Sequence, residues 1–296
     1  MLVHLVDGTY ELFRFHFGPA NRDPRHGAQI GVLRSLLDLL EEGATHVGVA
    51  TDHVIESFRN ELWPGYKDSS GIDPVLLEQF PELEDLLAAA GFVVWPQVVY
   101  EADDALGAMA ARAAADARVE RVFICTPDKD LAQCVDDAGR VVQLDRRRGI
   151  VYDRAGVEEK FGVPPASIPD FLALVGDSAD GFPGIPGWGA RSAATVLSRY
   201  GHIPDIPLDP AEWEVSVRGA ARLARNLAEH LDEALLFRRI ATVDVSAPVS
   251  ETVDELRWRG PTPRLDEVCD TLGPVARAQA ERARALAARR GDGHGS

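Results

Sequence analysis

The stretch "FVVWPQVVYEADDALGAMAARAAAD", residues 92–116, holds a strand, a turn and a helix in one reading. Phe92 to Trp95 form an apolar run of strand length, and the Ala/Leu-rich segment from Ala102 onward has helical composition. Between them stand three carboxylates in four positions, Glu101, Asp103 and Asp104. A helix N-terminus rewards each acid with up to about 1 kcal/mol. Two carboxylates about 5 Å apart at an effective dielectric near 20 repel by roughly 3 kcal/mol. A third deepens the deficit, so a positive partner is missing from the stretch itself.

The same alternation runs outward in both directions. "LVHLV", "HVGVAT", "RVFICT", "RVVQLD" and "IVYD" are further apolar runs, and helix-period segments lie between most of them. In "IGVLRSLLDLLEEG", Ile30, Leu33, Leu37 and Leu40 share one helical face and Gly43 supplies the stop. "EDLLAAAG" also reads as helix. Strands that are apolar throughout and separated by helices predict an α/β core with a mostly parallel sheet, covered on both faces. After about residue 160 the strand signal fades. "PASIPDFLALVG", with Ser167 as N-cap, "ARSAATVLSRYG" and "GAARLARNLAEHLDEALLFRRIAT" predict a smaller helical region. The expected organisation is a core over 1–163, a helical region over 164–273 and a disordered tail over 274–296.

Bulk properties narrow the class. The chain has 296 residues, 46% apolar and 26% charged, the balance of a soluble globular protein. No stretch approaches the apolar length of a membrane span, and "MLVHLVDGTY" lacks the pattern of a signal peptide. Cys125, Cys134 and Cys269 are too few and too irregularly spaced for a disulfide framework or a zinc site. A cytoplasmic protein is expected. The net charge of −16 argues against a nucleic-acid partner unless the acids gather where cations reverse the local sign.

The acids do gather. In an open parallel sheet, ligands bind beyond the carboxyl ends of the strands. Asp7 follows the first run, Asp52 the second, Glu101, Asp103 and Asp104 the third, and Asp128 and Asp130 the fourth; "VGDSAD" adds Asp177 and Asp180. Hard oxygen donors without His or Cys select Mg²⁺ or Mn²⁺. Nine carboxylates exceed the needs of one such ion, so two or more are expected, the apparatus for in-line displacement at phosphorus. "GFPGIPGWGARSA" supplies Gly184, Gly187 and Gly189 ahead of a helix whose first turn holds Arg191 and Ser192, a loop suited to a phosphate backbone. "SFRNELWPGYKDSS" places Arg59 and Lys67 among acids, with Lys67 in reach of a scissile phosphate.

Taken in order, "LVDGTYELFR", "FRNELWPGYK", "YEADDALG", "TPDKDLAQ", "VGDSADGFPGIPGWG" and "HLDEALLFRRIATV" resemble the 5′-nuclease superfamily of structure-specific flap endonucleases. They are similar to the bacterial 5′–3′ exonucleases, including the N-terminal nuclease domain of DNA polymerase I. The resemblance covers residues 1 to 273. It implies a parallel-sheet nuclease core, a helical arch at about 58–92 and a helix–three-turn–helix element that binds duplex DNA. It also implies that Asp7, Asp52, Glu101 and Asp103 surround a first metal, and that Asp104, Asp128, Asp130, Asp177 and Asp180 surround a second and any outer site. Lys67 matches the lysine that contacts the reacting phosphate, and Arg59 an arginine at the base of the arch. Arg14, in the first motif, and the turn from Gly184 to Ser192 match DNA-contacting positions, the turn often with K⁺ on its carbonyls. The implied partners are DNA with a 5′ flap, nick or 5′ end, and RNA-containing duplexes. The enzyme is expected to be a monomer at the nucleoid, standing alone because no polymerase-like segment follows.

Three departures accompany the match, one of them "DGFPG" for the more usual Asp-Asn-Ile-Pro-Gly, which keeps the Asp and the turn glycine. Ser70 stands where the family commonly has arginine. From 58 to 92 the only basic residues are Arg59 and Lys67, against Glu61, Asp68, Asp73, Glu78, Glu82, Glu84 and Asp85. The other two motivate a rival, a DNA-junction binding protein of the same fold with weak or lost nuclease activity. The nine acids oppose it, since a binder has little reason to hold such repulsion beside a phosphate. A PIN-type ribonuclease is opposed by the "GFPGIPGWG" element. A haloacid-dehalogenase phosphatase is excluded by Leu5, where that chemistry needs an aspartate.

Overall fold

The computed structural model describes residues 1–292. It opens with β1 (Leu2–Asp7), α1 (Gly8–His16), α2 (Gly27–Glu41) and β2 (His46–Asp52). There follow α3 (Phe58–Leu62), α4 (Pro74–Ala89), β3 (Val93–Gln97), α5 (Ala102–Ala115) and β4 (Arg121–Cys125). Next come β5 (Val141–Asp145), β6 (Ile150–Tyr152), α6 (Arg154–Phe161), α7 (Ile168–Val175) and α8 (Ala190–Tyr200). The described chain ends with α9 (Ala220–Glu229), α10 (Leu231–Ala241), α11 (Leu265–Leu272) and α12 (Pro274–Asp292). Two compact units interleave along it. One takes Met1–Ile55, Ser69–Thr126 and the chain from Val245; the other takes Glu56–Asp68 and Pro127–Asp244.

In the first unit, β3, β2, β1 and β4 lie side by side in that order, all parallel. Val3, Leu5, Val6, Val47, Val49, Val122 and Ile124 are buried, as unbroken apolar strands require when both sheet faces are covered. Ile30, Leu33, Leu37 and Leu40 of α2 are buried as well. The expected α/β class and mostly parallel sheet are present.

Two expectations are corrected here. The stretch read as an arch over 58–92 ends in a core helix: α4 buries Leu76, Phe80, Leu83, Leu86 and Leu87 in the first unit. Asp73 starts it, its side chain accepting from the Val75 N–H. The tail expected to be disordered is helical through Asp292. Its buried stripe is Ala276, Ala280, Ala283 and Leu286, and Arg282 pairs with Asp38 and Glu41 of α2. Mostly small side chains on one face, closed by Leu286, and a bidentate arginine secure this helix. Residues 293–296 lie outside the described residues.

The second unit pairs β5 with β6 as an antiparallel hairpin and carries α3 and α6–α10. Its core holds Leu172, Leu174, Phe182, Val196, Leu197, Leu227, Phe237 and Ile240. The buried carboxylate of Asp170 on α7 accepts the Ile203 N–H and pairs with Arg238 of α10 at 2.8 Å. Ser167 does precede α7, but its φ of −94° and ψ of −1° are not the extended conformation of a side-chain cap, and it makes no capping bond.

Candidate active site

The first unit places five of the nine acids at or just beyond its strand ends. β1 and β2 are neighbours with Asp7 paired to Ala50, so Asp7 and Asp52 end adjacent parallel strands. Asp7 is buried. One of its oxygens caps α1 through the Tyr10 N–H at 2.8 Å, and the other accepts the Thr126 hydroxyl at 2.9 Å. Asp52 accepts the Ala102 N–H, at the start of α5, at 2.7 Å. Its own N–H donates to the Thr9 hydroxyl at 2.8 Å. Glu101 is the buried N-cap residue of α5. Asp103 is half-buried in the first turn. Asp104 is fully buried and accepts the Glu101 N–H at 2.9 Å, an inward, helix-capping orientation.

The second unit gathers the rest. Carboxylate oxygens of Asp130, Asp177 and Asp180 lie within 4.8 Å of one another, and all three residues are buried. Asp128 is exposed beside them and accepts the Asp130 N–H at 3.1 Å. Asp177 and Asp180 belong to a tight turn whose ends exchange bonds, Asp177 N–H to Phe182 carbonyl and Phe182 N–H to Asp177 carbonyl. Two ammonium groups answer the charge: Lys129 reaches Asp177 at 2.5 Å and Lys67 reaches Asp180 at 3.1 Å. Burial, and then the neighbouring Asp128, Asp180 and Asp177, push the Asp130 carboxyl well above the usual range. Its Oδ1 atom is buried with no hydrogen-bond partner. Each carboxylate pair at this spacing repels by roughly 3 kcal/mol at an effective dielectric near 20. An unpartnered oxygen beside two more carboxylates is an all-oxygen donor set that fits a divalent cation.

Lys67 thus stands beside the trio through Asp180. Its backbone N–H also donates to the Asp180 carbonyl at 3.0 Å. Arg59 is 3% exposed, its guanidinium donating to the Ile240 carbonyl at 2.8 Å and the Thr242 carbonyl at 3.0 Å. That geometry caps the end of α10. Arg14 turns back on its own helix, 2.5 Å from buried Glu11 and 4.1 Å over the Phe15 ring.

The glycine loop is built as the spacing suggested. Gly184 has φ +73°, and a Cβ there would stand 2.4 Å from the Gly176 nitrogen, so the two backbones cross in contact. Gly187 shares the left-handed conformation. Gly189 is the N-cap of α8 and faces open space. Ser192 closes the first turn by accepting the Gly189 N–H, and Arg191 beside it is exposed.

Family models describe the chain from end to near end. "5′-3′ exonuclease, N-terminal resolvase-like domain" matches residues 2–162, and "5′-3′ exonuclease, C-terminal SAM fold" matches 163–264. The chain belongs to the 5′–3′ exonuclease family. It is 36% identical to DNA polymerase I of Pseudomonas aeruginosa over 261 residues, covering 85% of this chain and 28% of that protein. DNA polymerase I of Bacillus caldotenax is 34% identical over 267 residues, covering 86% and 29%. The chain thus spans under a third of these relatives. T5 5′-exonuclease, solved with zinc, shares the fold with a TM-score of 0.66 at 18% identity, over 97% of this chain and 100% of that one. The catalytic core of Rad2 in complex with DNA substrate shares it at 0.60 and 16%, over 96% and 91%.

Within this 5′–3′ exonuclease chain, five further residues orient the site. Thr9 and Thr126 hold Asp52 and Asp7. Lys129 stands between two of the acids it serves, a signal visible in "PDKD". Asn60 donates to the Lys67 carbonyl at 2.9 Å and accepts the Ser57 N–H, fixing the turn that presents the lysine. Trp63 adds a bond from its indole to the Gly181 carbonyl at 3.1 Å. Only tertiary contact reveals these last two.

Proposed function

We propose that the chain is a divalent-metal-dependent 5′ nuclease that hydrolyses DNA phosphodiester bonds at 5′ ends, nicks and flap junctions. The observation that carries the reading is the buried Asp130–Asp177–Asp180 trio, with its unpartnered oxygen and with Lys67 at its edge. Asp130, Asp177 and Asp180, with Asp128 beside them, would hold one cation; Asp7, Asp52, Glu101 and Asp103 would serve another. The absence of His, Cys or thioether donors favours Mg²⁺ or Mn²⁺. When bound, such ions activate water and stabilise the attacking and leaving oxygens of an in-line displacement.

The chain's own residues do the remainder. Lys129 keeps Asp177 in place, and Thr126 aims Asp7. Lys67, held at backbone and side chain by Asp180, presents an ammonium to a non-bridging phosphate oxygen. The Gly184–Ser192 loop and the N-terminus of α8 grip the duplex backbone without reading bases, with K⁺ on the loop carbonyls. The solved T5 enzyme holds zinc and the Rad2 core holds DNA substrate, which supports both halves of the reading.

The test is cleavage of a 5′-labelled flap duplex, with blunt and single-stranded controls, in Mg²⁺, Mn²⁺ or EDTA. Metal-dependent cutting near the junction is expected. Tight flap binding without cutting would overturn the nuclease reading in favour of a junction binder.

A further inference from the structure

Positive charge in this acidic chain gathers on the elements that frame the glycine loop. The chain has 47 acids among 296 residues, yet 181–204 and 215–227 hold none. The first segment carries the glycine loop and α8; the second leads into α9 and carries Arg218, Arg222 and Arg225. All three arginines are exposed, and among the described residues none of their guanidinium groups has a hydrogen-bond or ion-pair partner. Arg199, in the last turn of α8, differs, because Glu214 holds it. A helix face that serves only solubility gains from opposite signs three or four residues apart. Through Leu227, α9 shows one sign.

α9 is fastened to the glycine loop. The Asn226 amide donates to the Pro186 carbonyl at 2.6 Å, and the Trp188 indole donates to the Leu223 carbonyl at 3.2 Å. Leu223, Ala224 and Leu227 are buried, while Arg222 and Arg225 stay in solvent. Arg222 stands beside the loop itself: a Cβ at Gly187 would lie 3.6 Å from its Nε and 3.9 Å from its Cζ. Arg225 is its neighbour one helical turn on, and Arg218 directly precedes the N-cap residue Gly219. Gly187 and Gly189, the N-cap residue of α8, are two residues apart, at most about 7 Å. The N-terminus of α8, exposed Arg191 and the Arg222 fork therefore flank one short stretch of any strand seated on the loop. Guanidinium forks engage phosphate oxygens in pairs, and glycines let a phosphate backbone come close.

We propose that Arg218, Arg222 and Arg225 make α9 the second wall of a clamp on duplex DNA, the glycine loop and the N-terminus of α8 forming the first. The occupant is a nucleic-acid backbone because the surface is continuous with the loop at Gly187, and like charges spaced along one helix match a repeating phosphate. The inference rests on the nuclease reading and deepens it, assigning residues that set how tightly the duplex is held.

The experiment is fluorescence anisotropy on a nicked duplex across a salt series, with Ca²⁺ replacing Mg²⁺ to prevent cleavage. The full chain is compared with R222A, R218A/R222A/R225A and R218K/R222K/R225K, and with R199A as a control whose charge Glu214 already answers. Each phosphate contact contributes about 0.9 to the salt slope, so R222A should lower it by about 1 and the triple alanine variant by about 2 to 3. The triple alanine variant should also bind on the order of tenfold more weakly. The triple lysine variant and R199A should keep the wild-type slope. In Mg²⁺ the triple alanine variant's loss should fall on KM rather than on the single-turnover rate. An unchanged slope in both alanine variants, while the wild type binds and cuts, would overturn the α9 inference and leave the nuclease reading standing. So would a lysine variant that loses as much slope as the alanine one, since the loss would then follow the shape of α9 and not its charge. A wild-type chain that neither binds nor cuts DNA would overturn both.

Discussion

Replacing Asp130 with asparagine should stabilise the metal-free protein and abolish its response to metal. Carboxylate oxygens of Asp130, Asp177 and Asp180 lie within 4.8 Å of one another. At an effective dielectric near 20, Asp130 feels repulsions of up to roughly 3 kcal/mol each from Asp128, Asp180 and Asp177, offset only in part by Lys129. Neutralising it therefore gains about 3 kcal/mol in EDTA at alkaline pH. For 296 residues, an unfolding entropy near 2.1 cal/mol/K per residue makes each kcal/mol worth about 1.6 °C. The expected rise in Tm is about 5 °C. A cation at 100 times its Kd stabilises wild type by about 2.7 kcal/mol, a further shift of about 4 °C that Asp130→Asn should lack.

The pH dependence has a definite sign. The folded-state pKa of Asp130 is raised, so the folded protein takes up this proton before the unfolded chain does. Stability from this group is fully present below the ordinary carboxylate value, near 4, and is lost as pH rises through the raised folded value. The Tm gap between metal-free variant and wild type should thus close as pH falls toward 4. Differential scanning fluorimetry in EDTA and Mg²⁺ across that range measures it. A metal-free variant that melts below wild type, yet keeps the full Mg²⁺ shift, would show that Asp130 belongs to the fold and not to a cation site.

Three other substitutions separate roles within the site. Arg59→Met should cost about 3 to 5 kcal/mol, because it strands two buried carbonyls, while the single-turnover rate of the folded fraction holds within a few fold. An unaltered Tm with a hundredfold slower rate would restore Arg59 to the chemistry. Thr126→Val should raise the metal concentration for half-maximal activity on the order of tenfold, and Thr126→Ser should restore it; a metal titration identical to wild type would remove that hydroxyl from the site. Lys67→Ala should slow the chemical step by about 10² to 10³ and change stability by no more than about 1 kcal/mol, since its ion pair is partly exposed. An unchanged single-turnover rate would exclude Lys67 from the mechanism.

The sheet was legible because its strands are apolar on both faces, and seven of the nine acids were legible because they sit at or shortly past the ends of such strands. What could not be read are the features that exist only across the fold. The α12 stripe is Ala276, Ala280 and Ala283, and in an alanine-rich segment a buried alanine looks like an exposed one. The partners of Arg282, Asp38 and Glu41, lie more than 240 residues away. The α4 segment could have been read more closely: Leu76, Phe80, Leu83 and Leu87 keep core-helix spacing inside a stretch that its family position suggested was an arch.

Arg59 shows why a motif locates a neighbourhood before it assigns a role. "FRNELWPGYK" holds one side chain aimed at the acid trio and several that hold the presenting segment in place. Lys67 meets Asp180, Asn60 fixes the Lys67 carbonyl, and Trp63 binds the Gly181 carbonyl in the turn that carries Asp180. Arg59 anchors the start of the same segment to the end of α10. A substitution at any of the four can slow cleavage, because misplacing a reacting group by about 1 Å costs as much as 10²-fold. Rate alone therefore cannot tell an ammonium proposed to touch phosphate from the guanidinium that secures its loop. Stability can, since burying a cation against two carbonyls makes the fold depend on it, whereas a half-exposed lysine beside an aspartate leaves the fold almost indifferent to its loss.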